Sequence, residues 1–181
     1  MKKAAILLVT LLILLPALVG CEVPIADTST KATDGTTTNA TETATISIPG
    51  TLVAENFSFT IVSAELSDSV TLDSGSSINA DTEKGKQFLV LCIDATNTSS
   101  DIRNLGAFTT YVDDTTVLPH NVLAKYKDRI LMGGAVHPGK TMQTYAMYQV
   151  PADWKFFEIS YIDTLTCSVS ESVRFSRSDV K

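Results

Sequence analysis

The chain has 181 residues, 44% of them hydrophobic and 19% charged, enough apolar material for one folded domain. Its formal net charge is −6, and more negative still without Lys2 and Lys3, which argues against non-specific binding of nucleic acid or anionic lipid by the domain as a whole. With two histidines, His120 and His137, histidine-based catalysis or metal binding has few residues to draw on.

Lys2 and Lys3 precede an apolar run from Ala4 to Val19, broken by Thr10 and Pro16. The run is short of the ~20 residues that a membrane-crossing helix needs and matches the core of a secretory signal. It stops at Leu18-Val19-Gly20-Cys21. These residues resemble the lipobox of bacterial lipoproteins, with Leu18 three before the cysteine and small Gly20 just before it; Val19 departs from the more usual Ala or Ser. The resemblance implies diacylglyceryl transfer to the Cys21 thiol, cleavage between Gly20 and Cys21, and a protein held by lipid on the outer face of a bacterial membrane. Two or more acyl chains anchor stably, at ~0.8 kcal/mol per buried methylene. The expected division is a signal peptide at 1–20, a lipidated cysteine and tether at 21–46, and a folded domain at 47–181. The tether is rich in Thr, Ala, Asp and Asn, and buries too little apolar surface to offset the entropy of ordering.

From Thr45 the text becomes strand-like. Ile46, Ile48, Leu52 and Val53 predict a short strand broken at Pro49-Gly50. Residues 57–66 predict a stronger one, with Phe57, Phe59 and Ile61 on one face. The apolar set then shifts to Val62, Ala64 and Leu66, which implies a bulge or a change of sheet. Residues 67–86 read as a long polar loop with Gly75 and Gly85 as breakers. Residues 87–96 form the most apolar strand, with Leu89, Leu91, Ile93 and Ala95 on one face and Phe88, Val90 and Cys92 on the other, which predicts a central strand covered on both sides.

A turn at residues 97–101 is followed by a strand over 107–118 that bends at Asp113-Asp114. Residues 121–131 are ambiguous between a short helix capped by Asn121 and an exposed edge. His137-Pro138-Gly139-Lys140 predicts a turn, 141–150 a strand, and 155–162 another with Phe157, Ile159 and Tyr161 inward. Leu165, Cys167, Val169, Val173 and Phe175 then alternate with polar residues, which predicts one long strand or a hairpin near Ser170.

Seven or eight strands with turn signals and no long helix predict an all-β, antiparallel, immunoglobulin-like β-sandwich. Gly85-Lys86-x-Phe88-x-Val90, Asn97-Thr98-Ser99, Pro138-Gly139 and Val150-Pro151, in that order, resemble a large family of bacterial surface lipoprotein domains of unknown function with a telokin-like immunoglobulin fold. The resemblance covers about Ile48 to Phe175 and implies a fold and a location, with no catalytic residues to carry over.

The residues suggest a non-enzymatic module. There is no G-x-S-x-G elbow and no H-E-x-x-H pair. His120, Met132, His137, Met142 and Met147 could suit copper, but an odd spacing puts Met142 and Met147 on opposite strand faces, so core filling explains at least one better. Asp113 and Asp114 with carboxylates from 68–83 could hold calcium, but without EF-hand spacing a solvated turn is the simpler reading. No metal or cofactor is therefore assigned. Cys92 and Cys167 could close a disulfide worth roughly 4 kcal/mol by chain entropy, or remain two buried thiols. Lys125, Lys127 and Arg129 form the one basic cluster. It could dock an anionic wall polymer, a lipid headgroup or a partner's acidic patch, or simply protect a sheet edge. Tyr111, Tyr126, Tyr145, Tyr148 and Tyr161 could line a binding face or fill the core. The expected partners are the membrane, through lipid on Cys21, and a protein or wall component bound by loops, first 67–86 and then 118–134. A small-ligand or metal carrier and a structural envelope component are the alternatives.

Overall fold

The computed structural model describes residues 43–180. The signal peptide, Cys21 and all but the end of the expected tether lie outside the described residues. Among the described residues, fourteen strands occur in chain order: β1 (Ala44–Thr45), β2 (Gly50–Val53), β3 (Phe57–Ser67), β4 (Ser69–Thr71), β5 (Ser77–Asn79), β6 (Lys86–Asn97), β7 (Arg103–Asn104), β8 (Ala107–Val112), β9 (Thr115–Thr116), β10 (Ile130–Leu131), β11 (Ala135–Val136), β12 (Thr141–Pro151), β13 (Phe156–Ile162) and β14 (Val173–Ser176). The described residues contain no α-helix, only 3-10 turns at Thr82–Lys84 and Arg177–Asp179.

Two five-stranded sheets make an all-β sandwich, one ordered β10-β12-β6-β3-β2 and the other β1-β14-β13-β8-β9. Most pairs are antiparallel; β1 runs parallel to β14 and β10 parallel to β12. The fold thus includes Ala44 and Thr45, slightly ahead of the expected boundary at residue 47.

The strand of greatest apolar content is central, as its two-faced pattern requires. β6 pairs with β12 along its whole length on one side and with β3 on the other. Leu89, Leu91, Ile93 and Ala95 face the inter-sheet core, with Phe57, Phe59, Ile61, Tyr148, Phe157, Ile159, Tyr161, Val173 and Phe175. Burying one such side chain contributes roughly 1.5–3 kcal/mol relative to leaving it in water. The shift of apolar phase in β3 is a bulge between Ile61 and Ser63 that turns Val62 outward.

The opposite face of β6 is also dry. Phe88, Val90 and Cys92, with Tyr145 and Met147 of β12, form a second cluster with Val70, Leu72, Ala80 and Tyr126. The cover is the stretch expected to be a loose polar loop. Residues 67–86 contain a hairpin of β4 and β5, with Val70 opposite Ile78, closed through Gly75 at φ 84°. Phe88 and Val90 would otherwise expose apolar surface, and the hairpin removes it from water.

Two further expectations are corrected. The strand expected over 107–118 is a hairpin of β8 and β9, because Asp113 and Asp114 take φ of 45° and 66° and reverse the chain. The Asp113 carboxylate is held by the backbone N–H groups of Lys155 and Phe156. The alternation over 165–175 is a strand only at Val173–Ser176. Leu165, Cys167 and Val169 stand exposed on a loop. There Asp163, 5% exposed, accepts the N–H groups of Leu165 and Thr166 on Oδ1 at 2.9 and 3.3 Å, and Asn56 Nδ2 on Oδ2 at 3.2 Å. Those local bonds compete with a sheet ladder and end it.

Candidate binding pocket

Residues 117–132 run as a strap along the free edge of β12. Thr110 Oγ1 donates to the Val117 carbonyl at its start. Pro119 then bridges Tyr148, and the His120 N–H donates to the Met147 carbonyl at 2.6 Å. The strap next leaves the edge and crosses the outer face of the β6 sheet, where Val122 and Ala124 pack on the second cluster. The Tyr145 hydroxyl donates to the carbonyls of Val122 and Ala124 at 3.0 and 2.8 Å.

A two-residue turn at Lys127-Asp128, both at positive φ, brings the strap back. The Asp73 carboxylate, reaching from the β4–β5 hairpin, accepts both turn N–H groups at 2.9 and 2.8 Å. β10 then pairs with Thr144 and Tyr145, and the Met132 N–H donates to the Tyr145 carbonyl.

Between the outgoing limb at Tyr148 and the returning limb at Tyr145, a gap remains along β12. It forms a cavity of about 350 Å³, within the ordinary size of small-ligand sites. Phe108, Leu118, Pro119, Leu131, Met132 and Tyr148 supply most of its apolar wall, Asn121 a polar side chain, and no charged residue lines it. Gly106 forms another part of the wall. Its N–H donates to the Tyr161 hydroxyl at 2.8 Å, and a Cβ there would sit 2.0 Å from the Ile162 carbonyl oxygen, so this close approach requires glycine. Burial holds the Tyr148 phenol neutral far above its ordinary range, with Thr110 as its hydrogen-bonding neighbour. The pocket therefore suits an uncharged guest, since a charged one would lose its hydration without a counter-charge.

The basic cluster lies on the strap. Lys127 Nζ pairs with both Glu65 oxygens at 2.6 and 2.7 Å, and this hydrogen bond raises the lysine's pKa. Arg129 Nη1 lies 2.7 Å from Asp94 and 3.2 Å from the Ile93 carbonyl. Lys125 is exposed, without an ion pair among the described residues. Two of the three cations of the possible patch Lys125, Lys127 and Arg129 are thus engaged in pinning the strap to the β6 sheet. The missed signal was the even-numbered apolar set Val70, Leu72, Ile78 and Ala80 around Asp73-Ser74-Gly75, a hairpin pattern in a stretch dominated by polar residues.

Cys92 keeps a free thiol, 4% exposed, within the second cluster. The possible Cys92–Cys167 bond is therefore not formed. Cys92 faces the covered outer side of the β6 sheet, whereas Cys167 lies on the exposed loop that follows β13. Because Cys167 is exposed, the alternative of two buried free thiols does not hold either. Met142 packs toward the inter-sheet core and Met147 into the second cluster, on opposite faces as their spacing required. His120 lies tilted against Phe88, 5.5 Å between ring centroids, and His137 lies in the exposed turn before β12. Tyr126, Tyr145, Tyr148 and Tyr161 are buried, and Tyr111 is partly so, which makes them packing residues first.

No family model matches the chain, and no curated protein matches it. Solved structures do. The yjhA protein of Bacillus subtilis superposes with a TM-score of 0.54 at 19% identity, over 71% of this chain and 98% of that one. A β-sandwich protein from Clostridium difficile gives 0.50 at 13% identity, over 82% and 99%. A candidate lipoprotein of Bacillus subtilis, ycdA, gives 0.52 at 17% identity over 70% of this chain; the match spans only 37% of ycdA. At these identities the similarity is one of fold, and the fold it establishes is an all-β sandwich.

Proposed function

We propose that this protein is a non-enzymatic binding module, held by lipid on Cys21 at the outer face of a bacterial membrane, and that it takes a small uncharged ligand in the pocket beneath the strap. The observation that carries the ligand reading is the pocket itself, a preformed cavity at the sandwich edge whose lining is mostly apolar and free of charge. The lipobox resemblance at Leu18-Val19-Gly20-Cys21 supports the anchor, and the fold similarity to ycdA is consistent with it. The telokin-like family resemblance belongs to the same reading.

A thermal-shift screen of the purified protein against neutral and charged small molecules tests the pocket. A ligand at about 100 times its Kd should stabilise by about 2.7 kcal/mol. Ala107→Phe, at an exposed strand position on the pocket wall, should abolish the shift while leaving the unliganded midpoint nearly unchanged. Stabilisation by charged ligands alone, or a shift that survives this substitution, would discard the pocket. The anchor is checked separately: Cys21→Ala protein should leave the membrane fraction.

A further inference from the structure

The strands of the sandwich run between two ends, and the chain enters the fold at one of them. The Ala44 N–H donates to the Ser172 carbonyl at 3.2 Å, and β1 runs from there alongside β14. The same end carries the loops at 98–106 and 163–172, since β6 and β13 both finish there. Three large apolar side chains project from these loops: Ile102 at 56% exposure, Leu165 at 74% and Val169 at 62%. Ile102 and Leu165 line one shallow depression together with Arg103 and Asp163, and Val169 bridges Ile162 beside them.

This exposure is built into the fold. Asp163 gathers Leu165 N–H, Thr166 N–H and the Asn56 amide on its carboxylate, and its carbonyl accepts the Cys167 N–H at 2.7 Å. Burial opposes the charged form of Asp163, but these bonds and the nearby Arg103 outweigh it and hold its pKa below 3.8. The ionised carboxylate thus helps hold the loop backbone on which Leu165 and Val169 stand exposed.

We propose that this end docks on the lipid bilayer, with Ile102, Leu165 and Val169 entering the interface between headgroups and acyl chains. The proposal rests on the reading of Cys21 as the lipid attachment point. Residues 22–43 extend at most ~75 Å, so a lipid on Cys21 confines the domain within that distance of the surface, tethered from its chain-entry end. Confinement at high effective concentration lets a small apolar contact suffice. It also offsets the net negative charge, which would discourage adsorption of a freely diffusing domain on an anionic membrane. Orientation follows: the chain-entry end lies on the lipid and the Thr82–Lys84 end faces away.

The test uses the full processed protein, reconstituted in phosphatidylethanolamine–phosphatidylglycerol vesicles with brominated acyl chains. Trp154 is the sole native tryptophan and is 1% exposed, so it serves as an internal reference. In Leu165→Trp the added emission should shift to the blue and be quenched by brominated lipid; in Glu83→Trp, on the opposite end, it should not. Adding Ile102→Asp to the Leu165→Trp chain should reduce the quenching. Protein that floats with the vesicles but shows equal emission from both positions overturns the docking and leaves the anchor standing. Protein that fails to float overturns the anchor and the docking together. A blue shift in Leu165→Trp that grows with protein concentration and ignores brominated lipid would assign the surface to a second copy, and overturn the proposal.

Discussion

The hairpin of β4 and β5 is an excursion from the β6 sheet, the strap at 117–132 crosses from β9 of the other sheet to β10, and both cover the outer face of the β6 sheet, yet they differ in completeness. The hairpin buries Val70, Leu72 and Ala80 against Phe88 and Val90. The strap packs Val122 and Ala124 but leaves Leu118 and Leu123 exposed at 79% and 97%, with a cavity beneath one limb. The hairpin makes its own ladder, so its backbone is satisfied and its apolar face is free to close. The strap has little ladder of its own. It borrows hydrogen bonds from β12, from the Tyr145 hydroxyl and from the Asp73 carboxylate, and where those partners are spaced apart it stands off the sheet. A region stabilised by a few polar clips is suited to admit a guest; a region stabilised by continuous apolar contact is not.

The sharpest way to break this contrast is Phe88→Ala. It removes a fully buried ring from beneath the hairpin and should cost about 3–5 kcal/mol in urea unfolding, the range for truncating a buried aromatic side chain. A loss below ~1 kcal/mol would mean that the cover contributes little. Asp73→Ala should have a smaller effect, about 1–3 kcal/mol, by leaving the N–H groups of Lys127 and Asp128 without their carboxylate. Its signature is local: hydrogen exchange at those amides should speed up well before the amides of β6 respond. Leu123→Ser should change stability by less than about 0.5 kcal/mol, because almost all of that side chain is already in water. A larger loss there would show that the strap tip is packed in solution.

Much of the scaffold is legible in the chain. The two-faced apolar pattern of residues 87–96 places β6 at the centre, and the phase slip after Ile61 marks the bulge in β3. The inward set Phe157, Ile159 and Tyr161 follows from simple alternation. The turn at Asp113-Asp114 is less legible, because the left-handed conformation lacks a glycine to signal it; hydrogen bonds from Lys155 and Phe156, some forty residues away, hold it. Lys127-Asp128 is the same case, with Asp73 as its distant partner. The alternation at 165–169 misleads for the converse reason. Its period is right for a strand, but Asp163 captures the amides that a ladder would need. The pocket is illegible altogether, since its lining residues lie forty residues apart and no motif joins Phe108 to Tyr148.

Sequence alone was enough for the all-β class, the central strand and the lipobox resemblance, because these rest on local chemistry and on periods of two. Tertiary structure decided which apolar residues stay in water, that Cys92 remains a free thiol, and that Lys127 and Arg129 are engaged with carboxylates. It also left the gap beside β12. Each of these depends on what distant segments bring to one place, and near-neighbour patterns carry no record of that meeting.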